Sequence, residues 1–107
     1  MILDVNRENY ETEILQSKES ILVDFWGPKC GPCLALMPVV ERLEKEFDGK
    51  IKVAKVNAAE NRMLCARLRV IGLPTFLLYK DGVEKRRLTG DQITEEDLLT
   101  VIQDLVK

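Results

Sequence analysis

Apolar and polar residues alternate along the chain with two different periods, and the changes of period mark its elements. A repeat of two, or an unbroken apolar run, predicts a strand; returns after three and four residues predict a helix. Ile2–Val5 forms a short first strand. Asn6 is placed to cap a helix over Glu8–Gln16, with Tyr10, Ile14 and Leu15 turned inward. Glu19–Trp26 is apolar at nearly every position, the pattern of a central parallel strand covered on both faces. A helix over Gly31–Phe47 buries Leu36, Met37, Val40, Leu43 and Phe47 by their spacing, and Pro38 inside it predicts a kink.

Ile51–Val56 alternates apolar and basic residues as a third strand, Asn57–Asn61 is a loop, and Arg62–Arg69 a short helix. After the loop Val70–Pro74, Thr75–Tyr79 is a strand, and the turn Lys80-Asp81-Gly82 folds Val83–Thr89 back beside it. Lys85, Arg86 and Arg87 read as a solvated edge that discourages further pairing. Thr94, followed by Glu95, Glu96 and Asp97, opens a last helix lined by Leu98, Ile102 and Leu105. The order β-α-β-α-β-α-β-β-α predicts an α/β fold: a mixed sheet with an antiparallel hairpin at one end and helices on both faces.

Composition narrows the function. A chain of 107 residues, 46% apolar and 32% charged, makes one domain with one core, spanning 1–107. The formal charge of -2 gives no electrostatic case for nucleic acid. Histidine is absent, which removes the usual general base and the commonest metal ligand. The first residues have neither the basic start nor the apolar core of a signal peptide, and no run approaches the length of a membrane helix. The expectation is a cytoplasmic protein, where cysteines are catalytic or buried rather than a disulfide framework.

The chemistry is concentrated in Ile21–Pro38, ILVDFWGPKCGPCLALMP. A strand ends in Phe25 and Trp26, Gly27-Pro28-Lys29 breaks it, and Cys30-Gly31-Pro32-Cys33 opens a helix. Unpaired N–H groups at a helix start favour an anion, so Cys30 should ionise more readily than a free thiol. Two cysteines so spaced can reach each other, which points to dithiol–disulfide exchange. A zinc site is disfavoured, since only Cys65 remains as a further thiol ligand. Cys65 itself reads as a helix core residue beside Leu64 and Leu68, with a regulatory thiol as the alternative. Asp24 lies between Val23 and Phe25 in the apolar strand; an acid buried there has a raised pKa and can take a proton near neutrality.

With these pieces in place, the chain resembles the thioredoxin family over its whole length. VDFWGPKCGPC at 23–33, Pro38, VAKVN at 53–57, GLPT at 72–75, YKDG at 79–82 and Thr89-Gly90 carry the resemblance. It implies a thioredoxin fold and a protein-disulfide reductase or electron carrier with no bound cofactor beyond a Cys30–Cys33 disulfide. Cys30 matches the attacking thiol, Cys33 the buried resolving one, Asp24 the acid that assists its proton transfer, and Lys55 the lysine beside that acid. Pro74 matches a cis-proline against the dithiol. Gly72 and Leu73 match the backbone that grips an extended substrate, Trp26 the aromatic beside the site, and Gly31, Pro32 and Gly90 parts of the docking surface.

Three positions depart from the family. Lys29 stands where a tryptophan is usual, Leu34 where a lysine is usual, and Ala59 where an aspartate is common. The Lys29/Leu34 pair reads as a cation moved from after the motif to before it, where it still favours the Cys30 thiolate. The partners implied are disulfide-bearing client proteins and a flavoprotein reductase, NADPH-dependent by default and ferredoxin-linked as an alternative, acting on a monomer. Two rival functions stay open: a thiol oxidant or isomerase, and a binding subunit that uses the same surface without turnover.

Overall fold

The computed structural model describes residues 1–107. A five-stranded sheet forms from β1 (Leu3–Asp4), β2 (Ser20–Trp26), β3 (Lys52–Asn57), β4 (Thr75–Lys80) and β5 (Val83–Thr89), in the order β1-β3-β2-β4-β5. Three α-helices accompany it: α1 (Gly31–Glu46), α2 (Arg62–Leu68) and α3 (Glu95–Leu105). The mixed sheet with helices on both sides is the fold expected from the alternation of elements.

Strand β2 is the centre of the sheet, and Ile21–Phe25 are buried at every position. Full burial of an aliphatic or aromatic side chain contributes roughly 1.5–3 kcal/mol, so this strand is a stiff support for whatever polar group it carries. One face of the sheet packs Tyr10, Ile14, Phe25, Leu64 and Leu77 with their neighbours. The other packs Leu22, Val40, Leu43, Phe76, Leu98 and Ile102 beneath α1 and α3. Strands β1 and β2 both run parallel to β3.

The antiparallel part of the sheet begins one strand earlier than the hairpin alone predicts, because β4 already runs antiparallel to β2. Helix lengths explain it. With 16 residues, α1 is about 24 Å long and can carry the chain back along β2 to start β3 in the same direction. With 7 residues, α2 is about 10 Å long, whereas the six residues of β3 span about 20 Å. The chain therefore starts β4 at the end of the sheet where β3 finished.

Two further expectations are corrected. The helix over Glu8–Gln16 is a single π-helical turn, Glu11–Leu15. Asn6 does cap the segment, its Oδ1 accepting from Glu8 N at 2.8 Å and Asn9 N at 3.2 Å. Leu15, however, turns outward at 41% exposure. Its carbonyl oxygen lies against Gly82, where φ is +76° and any Cβ would collide with it. The second correction concerns Arg87, which is not a free edge charge. Its Nη1 donates to Arg69 O at 2.9 Å and its Nη2 to Leu68 O at 2.9 Å, while Glu84 holds the guanidinium from behind. It supplies partners for carbonyls that the end of α2 leaves open. Arg87→Ala should therefore lower stability by about 1–2 kcal/mol, read as a fall in the urea midpoint, and Arg86→Ala should leave it unmoved.

The remaining boundaries follow the sequence closely. Helix α1 runs through Pro38 without interruption and buries Cys33, Val40 and Leu43, with Leu36 and Met37 only half-buried. The predicted capping box is present: Thr94 Oγ1 accepts from Asp97 N at 3.1 Å, and Asp97 Oδ2 accepts from Thr94 N at 2.9 Å.

Candidate functional site

Four stretches of chain meet at one end of the sheet, and the strand registers say why. Trp26, last in β2, pairs with Asn57, last in β3, so the loops that follow both strands leave the sheet together. Thr75, first in β4, pairs with Phe25 on one side and with Thr89, last in β5, on the other. This brings Gly27–Cys30, Ala58–Arg62, Gly72–Pro74 and Gly90 to a common rim.

Cys30 is the N-cap of α1, in extended conformation, and is half-buried. Its Sγ accepts from Cys33 N at 3.1 Å, so the helix start is capped by sulfur where serine or aspartate is usual. Pro32 in the first turn has no N–H to leave unpaired. Cys33 is bonded to Cys30 as a disulfide with Cα atoms 5.2 Å apart, and is only 1% exposed. The pair is thus asymmetric: one sulfur meets solvent, the other does not. Gly27 holds the strand end close to the partner loop, since a Cβ there would lie 3.2 Å from Leu73 Cδ1.

Asp24 lies on the face of β2 that α1 covers, alternating with Leu22 and Trp26 and opposite Phe76. It is 2% exposed and its Oδ1 has no hydrogen-bond partner. Burial in this apolar layer pushes its pKa up to about 7, with the Lys55 charge pulling the other way. Lys55 is its register partner on β3. The Lys55 ammonium reaches outward, 3.7 Å from Asp4 Oδ1 and 5.8 Å from the centre of the Trp26 ring. The Trp26 indole N–H is buried without a partner.

The Leu73–Pro74 peptide bond is cis, as the resemblance implies. Thr75 Oγ1 donates to Gly72 O at 2.6 Å and lies 3.2 Å from Thr89 Oγ1, while Gly90 N donates to Pro74 O at 3.0 Å. These contacts fix the 72–75 loop to the end of β5. Gly31 is exposed, Gly72, Leu73 and Gly90 are half-buried, and Pro74 is buried.

An open groove of about 480 Å³ lies beside Cys30, lined by Lys29, Leu73, Ala58, Ala59 and Arg62. Of the residues expected to face a substrate, Leu73 lines it; Trp26, Gly31, Pro32, Gly72, Pro74 and Gly90 do not. Arg62 and Ala58 were not anticipated. Their signal was in the parallel pairing of β2 with β3, which places the first turn of α2 beside that of α1. Cys65 is buried on the opposite side of the sheet from α1, within the core, and burial pushes its thiol pKa up. No group of His, Cys, Asp and Glu is arranged to hold a metal ion.

A mixed sheet with a disulfide across Cys-Gly-Pro-Cys at a helix start defines a thiol–disulfide oxidoreductase. The thioredoxin family model matches residues 1–104. The thioredoxin of Acetoanaerobium sticklandii is 32% identical over 105 residues, covering 98% of this chain and 100% of its own. That of Peptoclostridium acidaminophilum is 33% identical over 102 residues, 95% of this chain and 93% of its own. That of Chlorobaculum thiosulfatiphilum is 40% identical over 83 residues, with 78% and 77% covered. The chain belongs to the thioredoxin family. No helix in it is long and apolar enough to cross a membrane.

Proposed function

We propose that this oxidoreductase works as a protein-disulfide reductase, acting as a monomer and one domain over residues 1–107 in the cytoplasm. The observation that carries the reading is the asymmetry of the pair: Cys30 half-buried and bonded to a helix-start N–H, Cys33 closed off behind it. In the reduced protein, the Cys30 thiolate attacks one sulfur of a client disulfide. A mixed disulfide forms and one client thiolate leaves. Cys33 then gives up its proton and attacks Cys30 Sγ. The Cys30–Cys33 bond forms, the second client thiolate leaves, and two electrons have passed to the client. Asp24 is the proton acceptor for Cys33, since a buried thiol has little water to receive its proton. Lys55 tempers the Asp24 pKa, and Gly31 and Pro32 shape the turn between the sulfurs. Trp26, Gly72, Leu73, Pro74 and Gly90 form the surface around the client chain. A flavoprotein reductase drawing on NADPH, or a ferredoxin-linked one, returns the dithiol.

The test is reduction of insulin with dithiothreitol as electron source. The expected result is precipitation of the released B chain well ahead of the control; a time course equal to dithiothreitol alone overturns the proposal. Lys29 offers a finer check. Its ammonium beside Cys30 favours the thiolate, so Lys29→Trp should raise the Cys30 pKa. Thiolate absorbance near 240 nm followed against pH reads this directly, and an unmoved titration removes the role of the relocated cation.

A further inference from the structure

The groove beside Cys30 carries two cations and no acid. Lys29 stands on the β2–α1 loop, Arg62 in the first turn of α2, and Ala58, Ala59 and Leu73 lie between them. Both cations are exposed. Neither forms an ion pair, and no carboxylate in the groove lining is there to neutralise them. This happens on a chain whose formal charge is -2, so the basic rim runs against the overall balance. Beyond Arg62 and Leu73 the surface turns apolar over Ala66, Val70 and Ile71, and Ile71 is 95% exposed.

We infer that this groove selects client disulfides whose cysteine is flanked by a carboxylate. The occupant is an extended segment of a client protein with Asp or Glu near the cysteine and an apolar side chain further along. Extended chain rises about 3.3 Å per residue, so a residue two positions away lies about 7 Å from the attacked sulfur, within reach of a long basic side chain. Lys29 and Arg62 receive the carboxylate while the apolar side chain rests toward Ile71. Ala59 completes the preference, because an acid at that position would neutralise the groove. Solvent-exposed pairs are individually weak, so two together favour an acidic client by about three- to tenfold. The inference rests on the proposed reductase reading and assigns its client class.

Three disulfide peptides test it, identical except for Glu, Gln or Lys two residues from the cysteine. The pre-reduced protein is mixed with each, and the rate of client thiol release is measured at low and at high salt. The Glu peptide is expected to react about three- to tenfold faster than the Gln peptide at low salt, with the Lys peptide slowest. High salt should bring the three together. Arg62→Gln and Ala59→Asp should each narrow the Glu-to-Gln ratio, and Arg62→Glu should turn the order toward the Lys peptide. Equal rates for all three peptides at low salt, or a ratio untouched by salt and by Arg62→Gln, overturn the inference while leaving the reductase proposal intact. Failure to reduce any peptide strikes the reductase proposal itself.

Discussion

Cys33→Ser should convert the protein from a catalyst into a trap. With Cys30 intact, the first exchange still proceeds and the client becomes bonded to Cys30 through a mixed disulfide. Nothing inside the protein can then release it, so a one-to-one covalent adduct accumulates and turnover falls to the background of the added thiol. Cys30→Ser should also abolish turnover, but with no adduct, because the buried Cys33 at 1% exposure is out of a client's reach. Non-reducing gel electrophoresis and mass spectrometry after mixing with an insulin or peptide disulfide separate the two cases. The discriminating feature is the difference between the variants, not the shared loss of rate. Adducts formed by Cys30→Ser, or wild-type turnover by either variant, would falsify the assignment of attacker and resolver. The expected effect is the largest available in this molecule, since each sulfur supplies a bond that no other side chain can form. Cys65 lies in the core on the sheet face away from α1 and offers no substitute.

Much of this arrangement was legible in the sequence because the elements that carry it are local. The apolar run into Asp24, the Gly-Pro break and the two cysteines fix a strand, a turn and a helix start within a dozen residues. The hairpin turn at Asp81-Gly82 and the capping box at Thr94 and Asp97 are equally local. What escaped depends on contacts far apart in the chain. Arg87 looked like one of three edge charges, and only the fold brings the last carbonyls of α2 within its reach, 18 and 19 residues away. Leu15 has the spacing of an inward residue, yet its backbone is claimed by Gly82 on the opposite side of the sequence. The direction of β4 turned on whether α2 is long enough to recross the sheet, a comparison of lengths and not of periodicity. Arg62 joined the groove for a related reason, since only the parallel register of β2 and β3 sets its turn beside Cys30. Asn61 belongs with these: it is buried, accepts from Arg7 N at 3.0 Å and donates to Asn57 O at 2.9 Å, tying the start of α2 to the segment after β1.

Asp24→Asn should make the oxidised protein more stable at pH 8 while slowing its chemistry. Burial raises the Asp24 pKa from 3.8 to about 7. Between those values the native state holds a proton that the unfolded chain has released, so the native state binds more protons and stability must fall as pH rises. The contribution of this group is therefore fully present below about pH 4, is lost across the interval to about 7, and is absent above it. The difference corresponds to roughly 4 kcal/mol of burial cost carried by the ionised form. Asparagine has no proton to lose, so the stability gap between variant and wild type should open across pH 4 to 8 and then level off. Urea midpoints of the oxidised proteins at several pH values measure it, and parallel profiles for the two proteins would discard the shifted carboxyl. In the proposed mechanism the same substitution removes the acceptor for the Cys33 proton. Release of client from the mixed disulfide at neutral pH should slow by about tenfold to a hundredfold, at or below the lower end of what positioned acid–base groups contribute. A merely structural aspartate would alter stability without moving that step, and a slow release restored at high pH, where the thiol ionises unaided, identifies proton transfer as what was lost. Strand β2 tolerates an ionisable group without a hydrogen-bond partner because apolar burial on both sides of it is large enough to absorb the cost. The apolar burial that makes Asp24 expensive to ionise is the same burial that lifts its pKa to about 7, where a carboxylate can still take up a proton near neutrality.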